Sequence, residues 1–165
     1  IRALEAEADA IIIDTGAGLG LATLAFAAAA DRCVVVVTPE PTSIADAYAV
    51  IKSLVSMGVY AGAPPIDVVV TAAESEKIAA AVHAKIAGVA TRFLGFTPGL
   101  LGVVRRDDAV TQSIRAREPL VLSQPRSTAA RDVRGVAESL RRVAGVATPN
   151  KPLSKRRLFG FWTGR

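Results

Sequence analysis

The chain has 165 residues, enough for one domain with a real core; 51% are hydrophobic and only 5% aromatic, so the interior is expected to be aliphatic. No apolar run reaches the ~18 residues of a membrane-spanning helix. The net charge of +5 is concentrated at one end: residues 151–165 hold Lys151, Lys155, Arg156, Arg157 and Arg165 and no acid, leaving fifteen basic and fifteen acidic residues in 1–150. A neutral body argues against a nucleic-acid-binding domain, whatever the basic isoelectric point suggests, and no nucleic-acid partner is expected.

The first residue is Ile1 rather than Met, and no basic-then-apolar leader precedes the fold, so the sequence is expected to begin inside a longer protein. Cys33 is the only cysteine and excludes an internal disulfide. It sits in an apolar run, where a free thiol acts as a small hydrophobe. That usage fits a reducing compartment, and the expected location is cytoplasmic.

In chain order, Ala10–Ile13 is a short apolar run ending at Asp14 and a glycine turn; it predicts a buried strand. Residues 20–30 are rich in Ala and Leu and predict a helix. Cys33–Val37 is an uninterrupted β-branched run, as in parallel strands covered on both faces. Thr38-Pro39-Glu40-Pro41 stops it. The next helix carries Ile44, Tyr48, Ile51 and Val55 at helical spacing, with Ser43 and Asp46 at capping-box spacing, and ends at Gly58. Ile66–Val70 predicts another strand. A helix over 75–90 shows Ile78, Val82, Ile86 and Val89 as one face. Leu101–Val104 predicts a further strand, 109–117 a short helix, and Pro119-Leu120-Val121 an extended stretch. The last helix is expected to be capped by Ser127 and to bury Val133, Val136, Leu140 and Val143.

Strands alternating with helices predict an α/β domain with a mainly parallel sheet flanked by helices, a three-layer Rossmann-type arrangement. Ligands of such sheets sit beyond the carboxyl ends of the strands, where Asp14, Thr38 and Thr71 would lie. The domain is expected over 1–148. A linker marked by Pro149, Asn150 and Pro152 then leads into a basic tail, giving a second region over 149–165.

An aspartate ending an apolar strand resembles a Walker B site, where a carboxylate holds Mg²⁺, often through water. Glycines after it let a backbone approach a phosphate. Those residue types alone are also ordinary turn chemistry. Three segments read together are more specific: IIIDTGAG over 11–18, VVVVTPEPTSIADAY over 34–48 and FLGFTPGLLGVVRRD over 93–107. In this order and spacing they resemble the landmarks of the MinD/ParA ATPases, and the TPEPTS…DAY and DTGAG phrases resemble the FlhG/FleN branch, which controls flagellar number and placement. The resemblance runs from residue 8 to about 145 and implies a P-loop NTPase-like fold.

By that resemblance Asp14 holds the Mg²⁺ shell through water and the amide of Gly18 senses the γ-phosphate of ATP. Thr38, Pro39 and Glu40 form a loop near the nucleotide and the dimer interface. Thr71 stands where many relatives have an asparagine near the adenine, and Arg105 where relatives often have a proline near the base; both are departures that put base recognition at those positions in question. The family's phosphate loop is the largest departure: no G-x-x-x-x-G-K-[ST] pattern occurs in the 165 residues, so the fold is expected to lack its first strand and phosphate clamp. The resemblance implies an ATP-dependent homodimer. It also implies partnership with a flagellar signal-recognition-type GTPase and with flagellar switch proteins. A division-site or partition ATPase, or a non-catalytic adaptor on the same fold, is the alternative reading.

His83, the only histidine, lies on a helix with no carboxylate or thiol cluster near it and reads as a surface or half-buried residue. Lys155, Arg156, Arg157, Leu158, Phe159, Phe161 and Trp162 form the informative stretch of the tail. As a helix, the four apolar side chains would cover an arc of about 160° with Arg156 and Arg157 opposite, the pattern of an interfacial helix on an anionic membrane. The family resemblance implies the same inner-membrane contact. Arg126, Arg131, Arg134, Arg141 and Arg142 stud the last helix region, where Asp132 and Glu138 make a solvated face the expected role.

Overall fold

A computed structural model describes residues 8–16, 18–58 and 64–146. The elements are α1 (Leu21–Ala29), β1 (Cys33–Val37), α2 (Pro41–Gly58), β2 (Ile66–Ala73), α3 (Glu76–Leu94), β3 (Gly99–Arg105), α4 (Asp108–Ala116), α5 (Leu120–Ser123) and α6 (Thr128–Val143). The sheet has three parallel strands in the order β1-β2-β3, with Cys33 opposite Ile66 and Asp67 opposite Gly99. The α/β expectation therefore holds.

The β-branched runs make strands because alternate side chains can then fill a helix-covered face. On β1 and β2, Val35, Val37, Ile66, Val68 and Val70 are buried in one cluster with Ala47, Ile51 and Leu54 of α2 and Ala79, Val82, Ile86 and Ala90 of α3. The opposite face is covered unevenly. Val69 is buried there, whereas Val36 on the edge strand is 62% exposed. Helix α6 packs on β3 at the position of Gly102, where a Cβ would stand 2.8 Å from Cγ2 of Val136. Glycine thus permits the close approach. Gly102→Ala is expected to cost about 1–3 kcal/mol by overpacking. Adding Val136→Ala should recover part of it, which urea denaturation of the two single variants and the double would read as non-additivity.

Several local expectations are corrected. Ala10–Ile13 is not a strand: residues 10–13 carry no regular structure, and Ile12 is 83% exposed. A strand needs a neighbour for its backbone groups, and no described strand lies beyond β1. The capping box at Ser43 and Asp46 is absent. Instead α2 starts at Pro41, whose missing N–H costs nothing in the first turn, and Ser43 Oγ accepts from the Thr38 amide at 3.0 Å. On α3 the buried residues are Ala79, Val82, Ile86 and Ala90, while Ile78 and Val89 stay partly exposed. Ser75 caps this helix, its Oγ accepting from the Ile78 amide, and Gly95 closes it in the left-handed region. Residues 120–123 form one helical turn rather than an extended stretch. The Ser127 cap is found, with Oγ accepting from the Ala130 amide at 3.1 Å, but Val143 is exposed, and Ala129 and Ala130 are the fully buried residues of α6. The tail and the 149–165 region lie outside the described residues, as does the boundary at 148.

Candidate functional site at the carboxyl edge of the sheet

Thr38, Pro39 and Glu40 follow β1, Thr71 lies near the end of β2, and Arg105 ends β3, so parallel pairing carries all five to one edge. Ser43 pins the first loop by taking the Thr38 amide. The carboxyl of Glu40 is held below the ordinary carboxylate range, chiefly by the Thr38 side chain and in smaller part by the charge of Arg106. Arg106 donates its amide to Ala73 O at 2.9 Å, which ties the loop after β3 to the end of β2. Thr71 Oγ1 reaches toward Val37 O at 3.5 Å, across to β1. The next residue, Ala72, has φ +55° beside a register shift, a backbone conformation that β-carbon-bearing residues rarely adopt. Strain of this kind concentrates where a loop serves a ligand or a switch.

Arg105 is committed elsewhere. Its Nε and Nη2 donate to the two oxygens of Asp132 at 2.8 and 2.7 Å, and its own amide donates to Asp132 Oδ2 at 3.0 Å. Asp132 is half-buried, at 13% side-chain exposure, and the Arg105 hydrogen bonds hold its carboxyl below the ordinary value. This bidentate pair joins β3 to α6, and the remaining Nη1 lies 3.9 Å from Glu76 Oε1. Asp107 works alongside it: one oxygen accepts from the Ala109 amide at 2.9 Å and the other from the Ala129 amide at 3.1 Å, so one carboxylate caps α4 and α6 together. Those amides depress its pKa, with Ala109 first. Sequence reasoning missed Asp132, because nothing local links residues 27 apart, and missed Asp107, whose place just before a predicted helix was an available capping signal.

Asp14 lies before α1 in a turn where Gly16 has φ +68° and Gly18 has φ +106°. Its Oδ1 accepts from the Gly16 amide at 3.2 Å, and the side chain is exposed. Among the described residues, no hydrogen bond reaches its second oxygen. Thr23 Oγ1 reaches Thr15 O at 3.5 Å and is the one hydrogen bond from this turn into α1 through a side chain among the described residues. No hydrogen bond among the described residues links the turn to Thr38, Glu40, Thr71 or Arg105. No group of three or more His, Cys, Asp or Glu that could hold a metal occurs among the described residues. A single carboxylate of this kind fits Mg²⁺ that takes the rest of its octahedron from water and phosphate oxygens, which is the usual manner of that ion. His83 is half-buried, with Nε2 3.0 Å from Pro98 O, in keeping with a structural role. Burial, and then the Asp67 charge, raise the pKa of the Cys33 thiol.

The chain is 33% identical over 132 residues to antiactivator FleN of Pseudomonas aeruginosa, covering 80% of this chain and 46% of that protein. It is 57% identical over 44 residues to the flagellum site-determining protein YlxH of Helicobacter pylori, covering 27% of this chain and 15% of that one. The chain is thus related in sequence to FlhG/FleN proteins, the branch of the MinD/ParA ATPases that its motifs resemble. It spans about half the length of the P. aeruginosa relative. No family model matches it. In fold it is similar to septum site-determining protein MinD of Pyrococcus horikoshii, solved in complex with Mg-ADP, with a TM-score of 0.65, 21% identity and coverage of 88% of this chain and 55% of that one. The cell division ATPase MinD of Pyrococcus furiosus gives a TM-score of 0.62 at 19% identity, covering 86% of this chain and 55% of that chain. No helix among the described residues is long and apolar enough to cross a membrane.

Proposed function

We propose that this chain carries the Mg²⁺-side and base-side half of an ATP-dependent MinD/ParA-type switch that positions cellular machinery, with flagellar number or placement as its task. The observation that carries the reading is the 33% identity to FleN along 80% of the chain. Asp14 would hold Mg²⁺ through water and Gly18 would present its amide to the γ-phosphate, both from the glycine turn described above. The metal would neutralise phosphate charge when bound. Thr38, Pro39 and Glu40 would face the nucleotide and a second protomer of an ATP-dependent homodimer, with Thr71 near the base. Arg105 contributes there by fixing the β3 edge through Asp132 rather than by contacting the base. The partners would be a flagellar signal-recognition-type GTPase and flagellar switch proteins. The tail from Lys155 to Trp162 would bring a cytoplasmic protein to the inner membrane.

A second reading is a non-catalytic adaptor on the same fold. Calorimetric titration of Mg-ATP into the chain, beside an Asp14→Ala variant, addresses both. The 165 residues alone should bind no measurable Mg-ATP, because they supply no phosphate cradle. In the protein that the whole gene encodes, Asp14→Ala should lower ATP hydrolysis by roughly 10²–10³-fold, the size of losing one preorganised electrostatic contact. A hydrolysis rate indifferent to Asp14→Ala would remove Asp14 from the metal site. A whole-gene product that neither binds nor hydrolyses ATP would establish the adaptor.

A further inference from the structure

The carboxyl-terminal third of the described chain is basic in a way the linear sequence conceals. Residues 105–146 hold nine arginines and no lysine against five acids. On α6, Asp132 and Glu138 seem in the sequence to cancel the arginines around them. The structure places both acids otherwise. Asp132 is half-buried and takes its hydrogen bonds from Arg105, and Glu138 takes its hydrogen bonds from Arg141. Among the described residues Arg131, Arg134 and Arg142 hydrogen-bond only to neutral groups, although the charges of Arg131 and Arg142 add in smaller part to the lowered pKa of Asp132 and Glu138. Arg131 Nη2 donates to Thr128 Oγ1 at 3.4 Å and Arg142 Nη2 to Ser139 Oγ at 3.5 Å. Arg134 donates to the carbonyls of Pro125 and Val121 at 2.7 and 3.0 Å. All three residues are exposed. At 100° per residue they fall within about 80° of arc; Glu138 lies inside that arc, but Arg141 at its edge pairs with it, so this side of the helix keeps a positive excess.

We propose that this face of α6 is a second membrane contact, seated on anionic phospholipid headgroups. It is independent of the aromatic tail in its residues but rests on the membrane reading of that tail. Guanidinium suits phosphate by its planar fork and weak hydration. Each cation held at an anionic leaflet strengthens binding about fivefold, the equivalent of about 1 kcal/mol. Three give about a hundredfold, too little to anchor a protein alone and enough to turn one weak anchor into a stable one. The sequence supplies that partner anchor nearby, in Leu158, Phe159, Phe161 and Trp162. Duplex DNA is the less fitting occupant, because tight non-specific binding draws on roughly six to ten phosphate contacts.

The test is co-sedimentation of the full chain with vesicles of phosphatidylcholine alone and of phosphatidylcholine with phosphatidylglycerol, with a parallel titration of duplex DNA. Four proteins are compared: wild type, Arg131→Gln/Arg142→Gln, the same with Arg134→Gln, and a tail variant with Phe159, Phe161 and Trp162 changed to Ser. The double variant keeps the Arg134 bonds that hold the α5–α6 connection, so it guards against misfolding; circular dichroism checks all four. Wild type should bind the anionic vesicles, the double variant about thirtyfold more weakly and the triple about a hundredfold. The tail variant should keep a residual binding to anionic vesicles that salt removes. A double variant that binds like wild type overturns the proposal. So does a wild type that binds neither vesicle, or one that binds duplex DNA in preference to vesicles through these arginines. If the tail variant binds like wild type while the double variant is weak, the α6 contact stands and the tail reading falls.

Discussion

Ile51→Ala should lower the stability of the domain by about 2–5 kcal/mol, the range for truncating a buried Ile in a core that relaxes only partly. Ile51 is fully buried on α2, at 0% exposure, in the cluster that also holds Val35, Val37, Val68 and Val70 of the sheet. Those neighbours are β-branched and stiff at χ1, so they do not turn into the space left behind. The fully buried members of this core are aliphatic and proline, and the aromatics Tyr48 and Phe96 pack against it only as partly buried residues. Native domains have about 5–15 kcal/mol in total, so this one change should remove a large share of it. Urea denaturation followed by circular dichroism should show the midpoint falling with the slope unchanged. Ile114→Ala is the control: Ile114 is 69% exposed on α4, and its loss should move stability by no more than about 0.5 kcal/mol. An Ile51→Ala midpoint equal to that of the control would mean that the α2–sheet contact does not carry the core.

That core was legible in the sequence because β-branched runs and helical spacing are physical instructions for burial. Cys33–Val37 and Ile66–Val70 read as strands from composition alone, and both pair as expected. The misses have separate causes. Ala10–Ile13 has strand composition, but a strand exists only with a partner, and strand propensity is a statement about context. On α3 the stripe of large residues included Ile78 and Val89, yet the face against the sheet is Ala79, Val82, Ile86 and Ala90. Where a helix lies close to a sheet, alanine fits and larger residues move to the flanks, so hydrophobic size alone misplaced the stripe at both ends. Ser43 looked like a helix cap because its spacing matched, but Pro41 is the better starter and took the first turn. The place of Thr38 and Thr71 at the carboxyl edge of the sheet was readable from strand order, whereas the Arg105–Asp132 lock joins elements distant in sequence and had no local trace.

Acid should loosen that lock before it melts the core. The Asp132 carboxyl is held below its ordinary value by the Arg105 hydrogen bonds, and the Asp107 carboxyl by the amides of Ala109 and then Ala129. Groups whose folded pKa is depressed contribute stability that is complete above the unfolded value, near 3.9 for aspartate, and that is lost as pH falls through the lower folded value. The stability of the wild type should therefore be level with respect to these two groups at neutral pH and fall from about pH 4 downward. Asp132→Asn keeps the shape and one acceptor but removes the charge, so it should lower the plateau and make the acid slope shallower. Asp132→Ala should cost more, roughly 1–3 kcal/mol at neutral pH, because the Arg105 amide loses its acceptor in a half-buried place. Urea midpoints measured from neutral pH down to about pH 2 on the three proteins separate these effects. Parallel acid slopes in wild type and Asp132→Asn would place the acid sensitivity elsewhere, with the Asp107 double cap and Glu40 as the remaining sources at this edge. A shallower slope in Asp132→Asn would mean that a single ion pair sets how firmly α6, and with it the arginine face, is seated on β3.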